Sequence, residues 1–327
     1  MIWLKITMAA VMSGSLFALV ETVLPSRPSQ PFTIQISDWA GDQVFAVIES
    51  LGVDPGPSVH FDIRRTPPAR DAVEAFRAGL ADAALIELSR LPELIPDEVR
   101  VVYAFDEVAG GGVLVAAPDI RDAAGLRGRP VGVTFGAAAQ PVVFSLLDRA
   151  GLAPQDATLA PLASDAAEAA LRTGRVGAVA ALAPSQTTGL QRLPGTRLLA
   201  STQDLVGVAT HVLVVREGRI PEQRDRMEAV LRAVDQAVRA CRAAMDRCLD
   251  LMAAASGRPA AEWRQDLEAV RLLDLADTRT LLAGGNEAPL ARRLAAALAL
   301  GRSGAAPAVP AAMEWIDPSL AQEAARP

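Results

Sequence analysis

Asp106 and Glu107 are adjacent carboxylates at the end of an apolar run that starts at Val99. A carboxylate delivered to a sheet edge can accept hydrogen bonds from a bound amine or hydroxyl, or act as a general acid or base. On an extended backbone two neighbouring side chains point to opposite faces, so both cannot line one site. Either one of them meets a ligand while the other is solvated, or both are edge acids hydrogen-bonded to nearby backbone N–H groups. Around them an enzyme's constellation is missing. His60 and His211 are the only histidines. His60 faces away from Val59 and Phe61 on a strand, a position that reads as structural. The chain spells no zinc-spaced His/Cys cluster, no Gly-x-Ser-x-Gly elbow, no phosphate-binding loop with its lysine and no dinucleotide fingerprint. The expectation is a binding protein that is not an enzyme and takes no metal or cofactor.

The elements that must position such a site follow from short apolar runs punctuated by Gly and Pro. Phe32 to Ile36 alternates as a strand, and Asp42 to Leu51 has helical spacing. Between them Ser37, Asp38, Trp39, Ala40 and Gly41 sit at the C-terminal edge of a strand, where open α/β sheets bind ligands. With aromatics only 4% of the chain, Trp39 is either a ligand contact or a cover over the core edge. Val59 to Arg64, Asp82 to Ile86 and Val99 to Phe105 read as further strands, Ala69 to Gly79 as a helix, and Ser89 lies on the loop after the third strand. Val113 to Ala117 and Val131 to Phe135 are strands as well. After the latter, Gly136, Ala137, Ala138, Ala139 and Gln140 lead into a helix at Pro141, aiming backbone N–H groups and the positive end of a helix dipole at an acceptor. Ala157 to Leu162, Ser164 to Thr173 and Gly177 to Leu182 repeat strand, helix, strand, and Pro184, Ser185 and Gln186 follow. Gly207 to Val215 is a long strand. Helices are expected over Pro221 to Met245, Asp246 to Ala255, Ala260 to Leu273, Thr278 to Leu282 and Ala288 to Leu300.

Chain length, 327 residues, allows two lobes with separate cores, and the net charge of −6 gives no electrostatic footprint for nucleic acid. Met1 to Val23 carries Lys5, the only lysine, and then an apolar run, which reads as a secretory signal or short N-terminal anchor. Nothing beyond Val23 reaches the ~20 apolar residues of a spanning helix. Cys241 and Cys248 would be ~10.5 Å apart on one unbroken helix, too far for a disulfide that wants α-carbons ~4.4 to 6.8 Å apart. A break at Met245, Asp246 and Arg247, with Asp246 capping a new helix, would bring them together, and both possibilities stand.

Several segments resemble the type II periplasmic solute-binding proteins of the nitrate/sulfonate/taurine and thiamine-precursor ABC transporter family. They are Asp106 with its following glycines, Leu126-Arg127-Gly128-Arg129-Pro130-Val131-Gly132-Val133, the Phe76 to Ala84 run with Gly79 and Asp82, its echo Ala169 to Ala178, and Asp317-Pro318. The chain departs from the pattern at Gly177 and Ala183, where the family has Asp and Glu. The resemblance implies an α/β fold of two lobes joined by two crossing hinge strands, with a helical C-terminal region. It places residues 32–107 with 207–320 in lobe I and 113–201 in lobe II, after a signal or anchor and linker at 1–30. It further implies a monomer outside the cytoplasm that captures a small-molecule solute and delivers it to a membrane permease. The ligand contacts expected are Trp39, Ser89, Asp106, Gly136, Ala137, Ala138, Gln140 and Gln186. The solute expected is small, polar or zwitterionic, with its acceptor end at Gly136 to Gln140 and its donor end near Asp106. A membrane-tethered sensing module and a pyrimidine-precursor synthase on the same fold are the alternatives.

Overall fold

Strand-forming runs of Val, Ile, Leu and Ala build two separate sheets. The computed structural model describes residues 31–37, 39–48, 50–53, 56, 59–65, 72–94, 98–109, 112–134, 140–181, 184–202, 206–300 and 312–326. In chain order the strands are β1 (Phe32–Ile36), β2 (Phe61–Arg65), β3 (Ala83–Glu87), β4 (Val99–Ala109), β5 (Val113–Ala116), β6 (Pro130–Val133), β7 (Thr158–Pro161), β8 (Ala178–Ala181), β9 (Arg197–Ser201), β10 (Val206–Arg216) and β11 (Val270–Leu272). The first sheet runs β11-β4-β10-β3-β1-β2 and the second β7-β6-β8-β5-β9. β1 is parallel to β2 and β3, and β6 is parallel to β7 and β8. Every residue of β1 is buried, including Thr33 and Gln35, as expected of an inner parallel strand covered on both faces.

β4 and β10 are the long strands, 11 residues each, and they pair antiparallel. Val99 to Phe105 and Val212 to Val215 pack in the first core, whereas Val108 and Ala209 pack in the second. The pair thus crosses from one core to the other. The ladder slips at the crossing: His211 is opposite Asp106, but Val212 is opposite Ala104, so Phe105 is the extra residue of a bulge. Bulges re-aim the side chains beside them, and this one lies next to the only histidine of β10.

The C-terminal region is largely helical. Its differences from expectation are local. The helix expected over Ala260 to Leu273 ends at Leu267, and Val270–Leu272 is β11, paired with the outer side of β4. Apolar spacing alone did not separate the two, because a free strand edge is a tertiary feature. The helix expected from Thr278 starts at Leu275, capped reciprocally by Asp274 and Asp277. Among the described residues of the Asp42 to Leu51 stretch only Gln43–Ala46 is helical. The helix Ile220–Ala243 stops at Ala244, whose φ of −141° and ψ of 63° turn the chain into Met245–Ser256. Asp246 is not the cap. Ala244 occupies that position, and Asp246 lies in the first turn, paired with Arg264. Across this corner Cys241 and Cys248 are bonded, with α-carbons 5.2 Å apart and both side chains fully buried. Among the described residues no helix is long and apolar enough to cross a membrane.

Candidate functional site

Register alone assembles a row of ionisable groups on one face of the first sheet. His211 on β10 is opposite Glu87 on β3 and opposite Asp106 on β4, and directly opposed residues on neighbouring strands share a face. Asp106 is completely buried. His211 Nδ1 is 2.8 Å from its Oδ1, and Trp39 Nε1–H donates to its Oδ2 at 3.0 Å. The Trp39 ring stacks on the imidazole with centroids 4.9 Å apart and planes 24° apart. Gly41 makes this close approach possible, since a β-carbon there would overlap the Asp106 carboxylate. Gly41→Ala is therefore expected to expel Asp106 from its two partners and cost about 1–2 kcal/mol by overpacking. Tryptophan fluorescence and the denaturation midpoint check this, and a variant that leaves both unchanged would refute the packing argument.

Around this centre lie two further buried acids. Asp42 Oδ2 accepts from the Ser37 N–H (2.8 Å) and hydroxyl (2.7 Å), while its Oδ1 is buried without a partner. The Gln43 amide nitrogen donates to the carbonyls of Ser37 and Trp39, fixing the loop, and its Oε1 is likewise unpartnered. Glu87 Oε2 accepts from the Ser89 N–H and hydroxyl. Burial pushes Asp42 up to about 6 and Glu87 up to about 7. Burial alone would lower His211, but Asp106 first, then Asp42 and Glu87, outweigh it and hold the imidazole at about 9. At neutral pH the row therefore holds an imidazolium among three carboxyl groups.

The opposite face carries the complementary row. Glu107 accepts from Arg271 Nε at 2.7 Å and from Arg293 Nη1 at 2.6 Å, and Arg293 also reaches the Thr210 hydroxyl. The two acids do point apart, as alternation requires, but their partners are indole, imidazole and guanidinium groups, and neither acid is solvated.

Of the residues singled out from sequence, Trp39, Ser89 and Asp106 belong to this one site. Trp39 is half-buried and packs against the second core, so it stands where the two cores meet. Gly136, Ala137 and Ala138 lie outside the described residues. Gln140 opens the helix Gln140–Arg149 and Gln186 is in Pro184–Arg192, but their side chains lie outside the described residues. His60 is exposed on the approach to β2. Sequence reasoning missed His211, Asp42 and Glu87 as site residues. The available signal was the polar pair Thr210-His211 interrupting an otherwise apolar strand.

The family model described as NMT1/THI5 like matches residues 96–246. No curated protein sequence matches the chain. Among solved structures, the ligand-binding component of an ABC-type import system from Staphylococcus aureus, with zinc bound, is 14% identical with a TM-score of 0.67, covering 91% of this chain and 100% of that one. The periplasmic aliphatic sulphonate binding protein SsuA from Escherichia coli is 19% identical, TM-score 0.63, covering 90% and 93%. The desulfurization enzyme DSZB is 16% identical, TM-score 0.56, covering 89% and 98%. At these identities the likeness is one of fold, the two-lobed periplasmic binding protein fold.

Proposed function

We propose, from an NMT1/THI5-like domain over residues 96–246 on a periplasmic binding protein fold, that the chain is the extracytoplasmic solute-binding component of an ABC importer. Lobe I is residues 32–107 with 207–320, lobe II is residues 113–201, and residues 1–30 carry the signal or anchor with its linker. The observation that carries this reading is the row Glu87, His211 and Asp106 lying where β4 and β10 pass between the cores. A polar wall at that crossing lets one small polar organic solute touch both lobes. Solute then favours the closed form by its differential affinity for that form. Gln265 Nε2–H donates to Thr188 Oγ1 at 3.1 Å between helices that pack in the two different cores, a contact of the kind closure needs. The closed monomer is then read by a membrane permease.

Asp106, where the donor end of the solute is expected, is completely buried, with indole and imidazole each hydrogen-bonded to one of its oxygens. In this cluster Glu87 and Asp42 are the acids with an oxygen that has no hydrogen-bond partner among the described residues. Thermal shift with sulfonates, nitrate, pyrimidines and small amines tests the function. A true solute at about 100 times its dissociation constant should stabilise by ~2.7 kcal/mol and change Trp39 emission. Stabilisation by no compound, combined with turnover of a sulfur-containing or pyrimidine substrate, would favour the enzyme reading, for which the buried imidazole and carboxyl groups supply acid and base.

A further inference from the structure

Asp106 is completely buried behind its imidazole and indole partners, so the atoms that face a solute lie elsewhere in the row. His211 uses Nδ1 on Asp106 and one ring face on Trp39. Its Nε2 has no hydrogen-bond partner among the described residues. Because an ionised carboxylate only accepts, Nδ1 must carry the hydrogen of that bond, which fixes the ring's orientation and turns Nε2 away from the acid. The cross-strand neighbour is Glu87. Ser89 takes up its Oε2, and among the described residues its Oε1 has no hydrogen-bond partner and it forms no ion pair with His211 despite being directly opposed to it. A donor and an acceptor thus stand side by side on adjacent strands without meeting each other. The unpartnered, fully buried Asp42 Oδ1 adds a second acceptor to the same cluster.

We propose that His211, through Nε2–H, and Glu87, through its free carboxylate oxygen, are the pair that reads the solute, selecting a group with an acceptor and a donor close together. Asp106 and Trp39 are positioning residues that hold the imidazole. The chemical class is a zwitterion or a neutral amide-like group. An anion that only accepts would meet Glu87 and Asp42 as like charges or force them to stay protonated, and a group that only donates would leave the imidazolium unpaired. This deepens the solute-binding reading and rests on it.

The chain's having two histidines makes the test direct, since the imidazole nitrogens of His211 and His60 give separable signals in histidine-labelled full-length protein. The probes are four three-carbon compounds: β-alanine and propionamide, which carry both functions, and propionate and propylamine, which carry one each. At about 0.1 M, enough to saturate a fragment bound with only ~4 kcal/mol, β-alanine or propionamide should move the Nε2 signal of His211 and leave His60 in place. Propionate and propylamine should bind at least about tenfold more weakly, the ~1.4 kcal/mol of one lost hydrogen bond. Glu87→Gln should remove the preference for β-alanine over propionate. His211→Gln, which keeps a neutral donor in place of the ring, should weaken β-alanine more than propionamide. Asp106→Asn should lower the pH at which the Nε2 proton is lost, with affinity following that pH, because Asp106 on β4, Asp42 on the β1 loop and Glu87 on β3 are the charges that face the ring. Should a variant fail to fold, the wild-type nitrogen signals still decide. A compound that stabilises the protein while His211 stays silent overturns this assignment and leaves solute capture standing. Silence toward all four compounds, with no stabilisation by any, overturns both.

Discussion

Replacing His211 by alanine should destabilise the fold by about 3–5 kcal/mol, because among the described residues it leaves Asp106 as a buried carboxylate with only the Trp39 indole as donor. The same substitution removes a positive charge that acts on both Asp42 and Glu87. The effect should depend on pH in a defined direction. Asp42 is raised from 3.8 to about 6, Glu87 from 4.5 to about 7 and His211 from 6.5 to about 9. Each therefore holds its proton more tightly folded than unfolded, folding takes up protons, and stability falls as pH rises. The carboxyl contributions are complete at the acid end and disappear through the range about 6 to 7. The imidazole contribution is complete below 6.5 and is lost through about 9. Wild-type protein should thus lose stability steadily from about pH 5 to 9, and His211→Ala should lack the upper part of that decline. Its penalty should therefore be smallest at the alkaline end, where the wild-type imidazole has given up its proton. Denaturant midpoints at a series of pH values measure this. A wild-type midpoint that climbs between pH 6 and 9 would contradict it.

Breaking the Cys241–Cys248 bridge should cost about 2.5 kcal/mol at 25 °C, the chain-entropy value for so short a loop. The bond spans the corner at Ala244, and the two helices it joins bury both sulfurs in the first core. Cys241→Ala combined with Cys248→Ala should lower the denaturation midpoint by that amount. Dithiothreitol should lower the wild-type midpoint to match and leave the double variant where it is. An oxidising compartment would keep the bridge formed. Equal midpoints for the two proteins, with and without reductant, would show that the corner is held by packing alone.

Much of the architecture was readable before any coordinates. The alternation at Phe32 to Ile36, the glycine closing the helix before Leu80 and the long apolar runs ending in Asp106 and Val215 each encode a local preference, and each element formed within a few residues of its expected place. The opposite pointing of Asp106 and Glu107 was legible too, because alternation is a property of the strand itself. The identity of the partners was not. Trp39, Asp106 and His211 are separated by 67 and 105 positions, taken from Asp106, and no local pattern links them. β11 escaped notice for the same reason, since three residues become a strand only when β4 offers an open edge.

What the sequence by itself determined is therefore most of the elements and the polarity of each face, because both follow from backbone sterics and the burial of apolar side chains within short windows. Tertiary structure alone decided which polar groups meet. The bulge at Phe105 sets the register that puts His211 against Asp106, and the missing side chain of Gly41 lets the carboxylate lie against the loop. Desolvation at the crossing then raised two ordinary acids, Asp42 and Glu87, beside a histidine that neighbouring carboxyl groups keep charged, since the energy of a charge depends on what surrounds it in space and not on its neighbours in the chain.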